Sequence, residues 1–249
     1  PEANGPEGPG VARNSAAKIS NGEYFALQDV DDEMHSDRMA LQFKALEELR
    51  KNGEEDTRVL TSHGPTIAMP TWFFHRSVYE RQGGLSEIGR GFPEDQLFLL
   101  RHIYEFSGII KRVSAPLVLY RFHEECMSLG VSEKSIWTMR LDYLEKHYLS
   151  RWKSFTIWSA GKQGRRLFRD LATASQEKVI AFCDVDEKKI ETCIKETTKR
   201  PKPKIPIIHF SQAVPPLVIA LKTDLHEGGL EKNIDSLGLL EGVDYVHFG

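Results

Sequence analysis

The chain has 249 residues, 40% of them hydrophobic, enough for one large domain or two ordinary ones with real cores. Residues 1–150 carry 17 Lys and Arg against 23 Asp and Glu, and the remainder carries 16 against 13, so a net −6 half precedes a net +3 half that could contact nucleic acid. Three cysteines without metal spacing (Cys126, Cys183, Cys193) and the lack of an Asn-x-Ser/Thr sequon fit a reducing, cytoplasmic compartment, and no apolar run is long enough to span a membrane.

Residues 1–10, PEANGPEGPG, contain little beyond Pro, Gly and acid and read as a flexible loop. ARNSAAKISNG predicts a short helix closed by Gly22. Tyr24 to Leu27 is apolar on both faces, as in a strand of a parallel sheet. Ser36 is the expected N-cap of a helix that sets Met39, Phe43 and Leu46 on one side and stops at Gly53. TIAMPTWFF predicts a strand, and PEDQLFLLRHIYEFSG a helix with Pro93 at its first position. VSAPLVLY predicts another strand, running into RFHEECMS. A helical segment from Ile136 to Tyr148 closes a first domain, residues 11–150.

The second domain, residues 151–249, starts with SFTIWSAGKQGRRLFRDL: a strand, a tight Gly turn and a helix. KVIAFCDVDEKKI gives the next strand and PLVIAL a third, a Rossmann-like βαβαβ order. The turn Ser159-Ala160-Gly161-Lys162-Gln163-Gly164 keeps two glycines of the dinucleotide fingerprint but has Ser at the first, and Asp184 stands near where an acid would read a ribose. Lys162, Arg165, Arg166 and Arg169 cluster on this turn and helix, and Lys199 to Lys204 form a Pro-interleaved basic tract; a solvated face and a phosphate-binding face are both open readings.

Chemistry gathers around carboxylates. FALQDVDDEM and IAFCDVDEKK repeat one acidic string at the ends of two predicted strands, where ligands of parallel α/β sheets sit. In an extended chain Asp29 and Asp31 project to one side and Asp32 turns away, so two carboxylates could hold magnesium or manganese against a diphosphate. A calcium loop would need Gly and Glu where Met34 and Ala40 stand. Helix capping is the plainer reading for an isolated Asp-Val-Asp, and it suits Asp184 and Asp186 before DEKKI. The first string has company: Glu94 and Asp95 in a helix's first turn, and His123 after a strand.

In that order, ARNSAAKISNGEYFALQDVDDEM, GGLSEIGRGFPEDQLFLLR and YRFH resemble a family-2 glycosyltransferase of the GT-A fold over residues 11 to about 128. The resemblance implies an α/β fold: a GT-A domain whose opening strands would lie before Pro1, followed by the smaller Rossmann-like domain. It implies a UDP-sugar donor and a divalent metal held by Asp29, Asp31 and His123. Arg13 and Asn14 would face the donor, with Asp29 and Glu94 on the same side, and Asp95 would be the catalytic base.

HGPTIAMPTWFFHR, GFPEDQLF, FTIWSAGKQGRRLFR, FCDVDEKKI and RPKPKIPIIHF extend the resemblance over almost the whole chain, to animal galactosyltransferases that act on queuosine in tRNA. It implies UDP-galactose as donor, a queuosine-containing tRNA as acceptor, and inversion. A UDP-N-acetylglucosamine transferase acting on a galactose-terminated glycan, a sugar-nucleotide-binding relative without activity, and a fused NAD-dependent domain are the competing expectations. The intact carboxylate and histidine set argues against the inactive relative, and the missing first glycine against the NAD-dependent domain.

Overall fold

The computed structural model describes residues 8–52, 60–61, 64–65, 68–124, 126–190, 192–194, 204–222 and 227–248. The chain falls into two compact units that part between Met139 and Arg140, with Leu60–Thr61 assigned to the second.

The first unit opens with α1 (Pro9–Ile19), so Pro9 and Gly10 belong to a helix and not to the expected loop; residues 1–7 of that loop lie outside the described residues. Proline suits a first turn because its missing N–H has no intrahelical acceptor there. The helix ends when Ser20 turns extended, two residues short of Gly22. Gly10 is dictated by contact: a Cβ there would stand 2.0 Å from the Ser86 carbonyl oxygen. α1 is thereby pressed onto the loop that leads towards the Glu-Asp pair.

β1 (Tyr24–Ala26) is followed by the two-residue β2 (Glu33–Met34), and then by α2 (Arg38–Asn52). The expected stop at Gly53 lies outside the described residues. Phe43 is exposed, and the buried anchor of α2 is Arg38, a residue the apolar pattern passed over. Its guanidinium donates to Gln42 Oε1, Gln28 Oε1 and the Leu27 carbonyl at 2.7–2.9 Å, so α2 is fastened to the end of β1 by hydrogen bonds.

β3 (Leu60–Thr61) and β4 (Gly64–Pro65) are two residues each. TIAMPTWFF does not form one strand: Met69–Thr71 is a 3₁₀ turn, β5 covers Phe73–His75, and Thr66 and Ile67 lie outside the described residues. β1 pairs with β5 antiparallel, Phe25 opposite Phe74, so the expected parallel pairing is replaced by a two-stranded antiparallel ribbon. α3 (Arg76–Gln82) ends at Gly83, whose φ of 73° is the left-handed cap that glycine adopts without a Cβ penalty. α4 (Glu94–Leu100) continues into a π turn over Arg101–Glu105, and Pro93 is its N-cap, one place before the position expected. Of VSAPLVLY only β6 (Val118–Leu119) is strand, paired antiparallel with β2. Met69, Trp72, Leu85, Phe98 and Leu99 form the core beneath these elements. Burying each such side chain contributes roughly 1.5–3 kcal/mol.

α5 (Glu133–Leu144) passes into a second π turn, Glu145–Leu149. The second unit is then built on β7 (Phe155–Trp158), α6 (Lys162–Asp170), the one-turn α7 (Thr173–Gln176), β8 (Val179–Asp184), β9 (Cys193–Ile194), β10 (Ile205–His209), β11 (Leu217–Ile219), α8 (Gly229–Ser236) and β12 (Tyr245–His247). One six-stranded sheet results, in the order β12-β11-β7-β8-β10-β9, parallel except where β9 meets β10. From β10 to β12 this is the 3-2-1-4-5 winding of a Rossmann-like sheet. PLVIAL gives the fourth of its parallel strands and not the third, because IPIIH forms β10 ahead of it.

Gly164 lets α6 lie against β7: a Cβ there would be 1.9 Å from the Ser159 carbonyl oxygen. Ser159, at the fingerprint's first position, sits at φ 127°, in backbone space that glycine favours. Asp184 does not project outward to meet a ribose. Its Oδ2 accepts from the Ala160 N–H and Lys189, and its Oδ1 from the N–H groups of Val185 and Asp186. Asp186 Oδ1 accepts from Lys188 N, so the second acidic string caps its own turn; DEKKI forms turns and no helix.

Candidate active site

The first acidic string is not extended, so alternation along a strand does not place its side chains. Beyond β1 the chain closes a turn in which Asp32 N–H donates to the Asp29 carbonyl at 3.2 Å and Val30 is left fully exposed. The three aspartates point to three different partners. Asp29 Oδ1 accepts from Arg13 Nη2 at 2.8 Å, Asp31 Oδ2 lies 2.8 Å from His123 Nε2, and Asp32 Oδ1 accepts from the Arg121 N–H at 2.9 Å. Arg121 also donates to Glu33 at 2.8 Å. The segment Tyr120–His123 is therefore laced to the turn through its second and fourth residues.

Arg13 joins this turn to α4. Its Nη1 donates to Glu94 Oε1 at 3.1 Å while Nη2 holds Asp29, so one guanidinium spans a carboxylate from each element. Glu94 is 8% exposed, and burial raises its pKa; neighbouring Asp95 raises it further while Arg13 opposes the change. Asp95 Oδ1 accepts from the Gln96 N–H at 2.7 Å. Burial likewise pushes the Asp95 carboxyl above the ordinary 3.8. Asp31 moves the other way, its pKa lowered first by the hydrogen bond from His123. Glu94 and Asp95 are thus raised mainly by burial, while Asp31 is lowered mainly by its hydrogen bond with His123. A cavity of about 220 Å³ with Arg13, Phe25, Gln28 and Tyr79 among its walls lies on the same unit.

Asn14, expected beside a donor, is 5% exposed and has its amide saturated within the protein. Its Nδ2 donates to the Leu85 carbonyl and Glu87 Oε1, and its Oδ1 accepts from Leu85 N–H and Tyr79 O–H. It fixes α1 to the loop before α4 and so aims its neighbour Arg13. Asp32 and Arg121 are the participants the sequence reading left out. Their signal, an acid and a base flanking the two candidate ligands, is indistinguishable in sequence from surface charge.

Of the three residues expected at a metal, Asp31 and His123 are brought together, and Asp29 is engaged by Arg13 instead. Among the described residues no three His, Cys, Asp or Glu side chains gather as a metal site. A magnesium-type ion needs no such cage, since one or two protein ligands with substrate phosphates and water complete its shell. Asp31 and His123 would offer such an ion one carboxylate and one imidazole, and the ion would have to replace the 2.8 Å bond that now joins them. No helix among the described residues is long and apolar enough to cross a membrane.

Residues 3–104 match the family model of glycosyl transferase family 2. The match supports a family-2 glycosyltransferase segment and takes in Arg13, the acidic turn and the Glu94–Asp95 pair; His123 lies beyond it. Two solved structures are also similar, a Rex-family repressor called RSP and the same protein in complex with β-NADH. Each is 11% identical with a TM-score of 0.29, covering 87% of this chain and 88% of the first, and 85% and 87% for the second. A likeness at that TM-score carries no conclusion about the glycosyltransferase segment or about a ligand.

Proposed function

We propose that the protein is an inverting glycosyltransferase that moves galactose from UDP-galactose to a hydroxyl of queuosine in a tRNA anticodon, with Asp95 as general base. The observation that carries the enzymatic part is Arg13, which ties Asp29 at the acidic turn to Glu94, the residue beside Asp95. The donor sugar, the acceptor and a cytoplasmic location rest on the sequence resemblance.

Departure of UDP from the sugar's C1 builds positive charge on the ring and negative charge on the diphosphate. A divalent ion held by Asp31 and His123 would supply Lewis-acid stabilisation of that leaving group. Asp95 takes the proton of the attacking hydroxyl on the opposite face, which gives inversion in one step. Its raised pKa makes it a stronger base than a free aspartate once ionised. Glu94 remains paired with Arg13 and keeps the first turn of α4 in register with Asp29.

Asp95→Asn should reduce transfer from UDP-galactose to queuosine-containing tRNA by ~10²–10⁴, the usual contribution of a positioned base, with donor affinity largely kept. Turnover equal to wild type in that variant would remove Asp95 from the mechanism. Transfer by wild type only from UDP-N-acetylglucosamine would overturn the galactose assignment.

A further inference from the structure

Asp29, Asp31, Asp32 and Glu33 all sit on the loop that leaves β1 at Leu27 and enters α2 at Arg38. Like charges so close repel one another, and Val30 among them is fully exposed, so it adds no buried anchor.

The neck of this loop is closed by one side chain. Arg38 is 0% exposed, and its Nη2 donates to the Leu27 carbonyl, eleven positions back, at 2.8 Å and to the Trp72 carbonyl at 3.3 Å. The Leu27 N–H donates to that same Trp72 carbonyl, so the guanidinium seals the end of the β1–β5 pairing where the acids begin. Its Nη1 donates to Gln28 Oε1 at 2.7 Å, and Gln28 Nε2 donates to the Asp29 carbonyl at 3.2 Å. That carbonyl is also the acceptor of the Asp32 N–H that closes the acidic turn. Nε holds Gln42 Oε1 at 2.9 Å. Every partner is a neutral oxygen, and among the described residues no carboxylate pairs with Arg38. A fully buried cation served only by neutral acceptors carries a desolvation cost that apolar packing of α2 would avoid.

We propose that Arg38 is a positioning residue for the transfer reaction. Through Gln28 and the Asp29 carbonyl it sets the loop conformation in which Asp29 meets Arg13, Asp31 meets His123 and Asp32 meets the Arg121 N–H. This rests on the reaction proposed above. Arg38 has no exposed surface, touches no reacting group and acts only through the loop. A planar guanidinium serves the four acceptors at once, which the point charge of a lysine does not. Misplacement of reacting groups by about 1 Å can cost ~10²-fold in rate.

The test compares Arg38→Lys, Gln28→Met and the double variant in the full chain, with turnover expressed per folded molecule from unfolding curves. Lost stability alone then leaves turnover at the wild-type value. Each single variant should lower kcat roughly 10- to 100-fold with the acceptor KM unchanged. The double variant should fall no further than the worse single one, because both substitutions break the same chain of contacts. Amide exchange followed by NMR should quicken at Asp32 and Arg121, whose N–H groups report the closure of the turn and its hold on the segment before His123. If Arg38→Lys does not fold, Gln28→Met, altered at a half-buried position, decides by its own kcat. Wild-type turnover per folded molecule in Gln28→Met, or losses that multiply in the double variant, would overturn the positioning role. Absence of sugar transfer by wild type, with the exchange differences intact, would instead overturn the proposed reaction and leave Arg38 as the residue that sets the loop.

Discussion

At the scale of single residues, Asp95 combines a functional requirement with a stability cost. A carboxyl whose pKa is raised on folding binds more protons in the native than in the unfolded state between the two values, so its contribution to stability falls as pH rises through that window. Catalysis needs the opposite, ionised form. The acidic limb of kcat/KM should therefore lie above the 3.8 of an ordinary aspartate, and Asp95→Asn should keep or raise Tm at neutral pH while abolishing most turnover. The substituted amide can still accept from Gln96 N–H, so no backbone partner is lost. A fall in Tm of several degrees would show that the charge stabilises the native state. Asp31 has the reverse sign: its lowered pKa adds stability above 3.8 that is lost as pH falls. Asp31→Ala and His123→Ala should each weaken manganese-dependent UDP-sugar binding, measured by calorimetry with and without EDTA. Unchanged affinity in both would leave the pair as a fold contact.

At the scale of elements, α1 is fastened to the loop before α4, to α3 and to the acidic turn. Asn14→Leu leaves the Leu85 N–H and carbonyl without their partners and should cost about 1–3 kcal/mol in denaturant unfolding. A loss below about 0.5 kcal/mol would mean water replaces the amide. The same helix shows what sequence can and cannot reveal. Asp29, Glu94 and Asp95 stood out in the sequence only as an ordered set of acids, and Arg13 only through the family resemblance; the pairing of Arg13 with both Asp29 and Glu94 had no sequence signal. The buried Arg38 was not legible, since hydrophobic periodicity assigns a burial stripe to apolar residues, and a guanidinium satisfied by Gln28, Gln42 and Leu27 leaves no periodic trace. β1 was legible as a strand, but its apolar run could not distinguish a parallel from an antiparallel neighbour. The bend at Val30 escaped because Asp-Val-Asp is equally compatible with an extended strand end and with a turn.

At the scale of the whole molecule, the two units divide the charge, and the basic cluster whose sequence left a phosphate-binding face open belongs to the second. Arg165 donates to the Ala160 carbonyl at 3.0 Å and Arg166 pairs with Asp170 at 3.7 Å, so these two are engaged in holding α6. Lys162 and Arg169 are the exposed basic residues of that helix. If α6 meets RNA phosphates, Lys162→Glu with Arg169→Glu should weaken tRNA binding and flatten its salt dependence by about two counterions, read from filter binding at several salt concentrations. Binding that matches wild type at every salt concentration would reduce α6 to a solvated face.

Because Asp184 already supplies a negative oxygen to the Ala160 N–H, the glycine-bearing loop after β7 comes with its own built-in anion, tethered by the chain at high effective concentration. A phosphate arriving at that N–H must displace a carboxylate that also neutralises Lys189, which should weaken nucleotide binding at this loop. Added NADH or ATP should accordingly leave the unit's Tm unchanged in a thermal-shift assay.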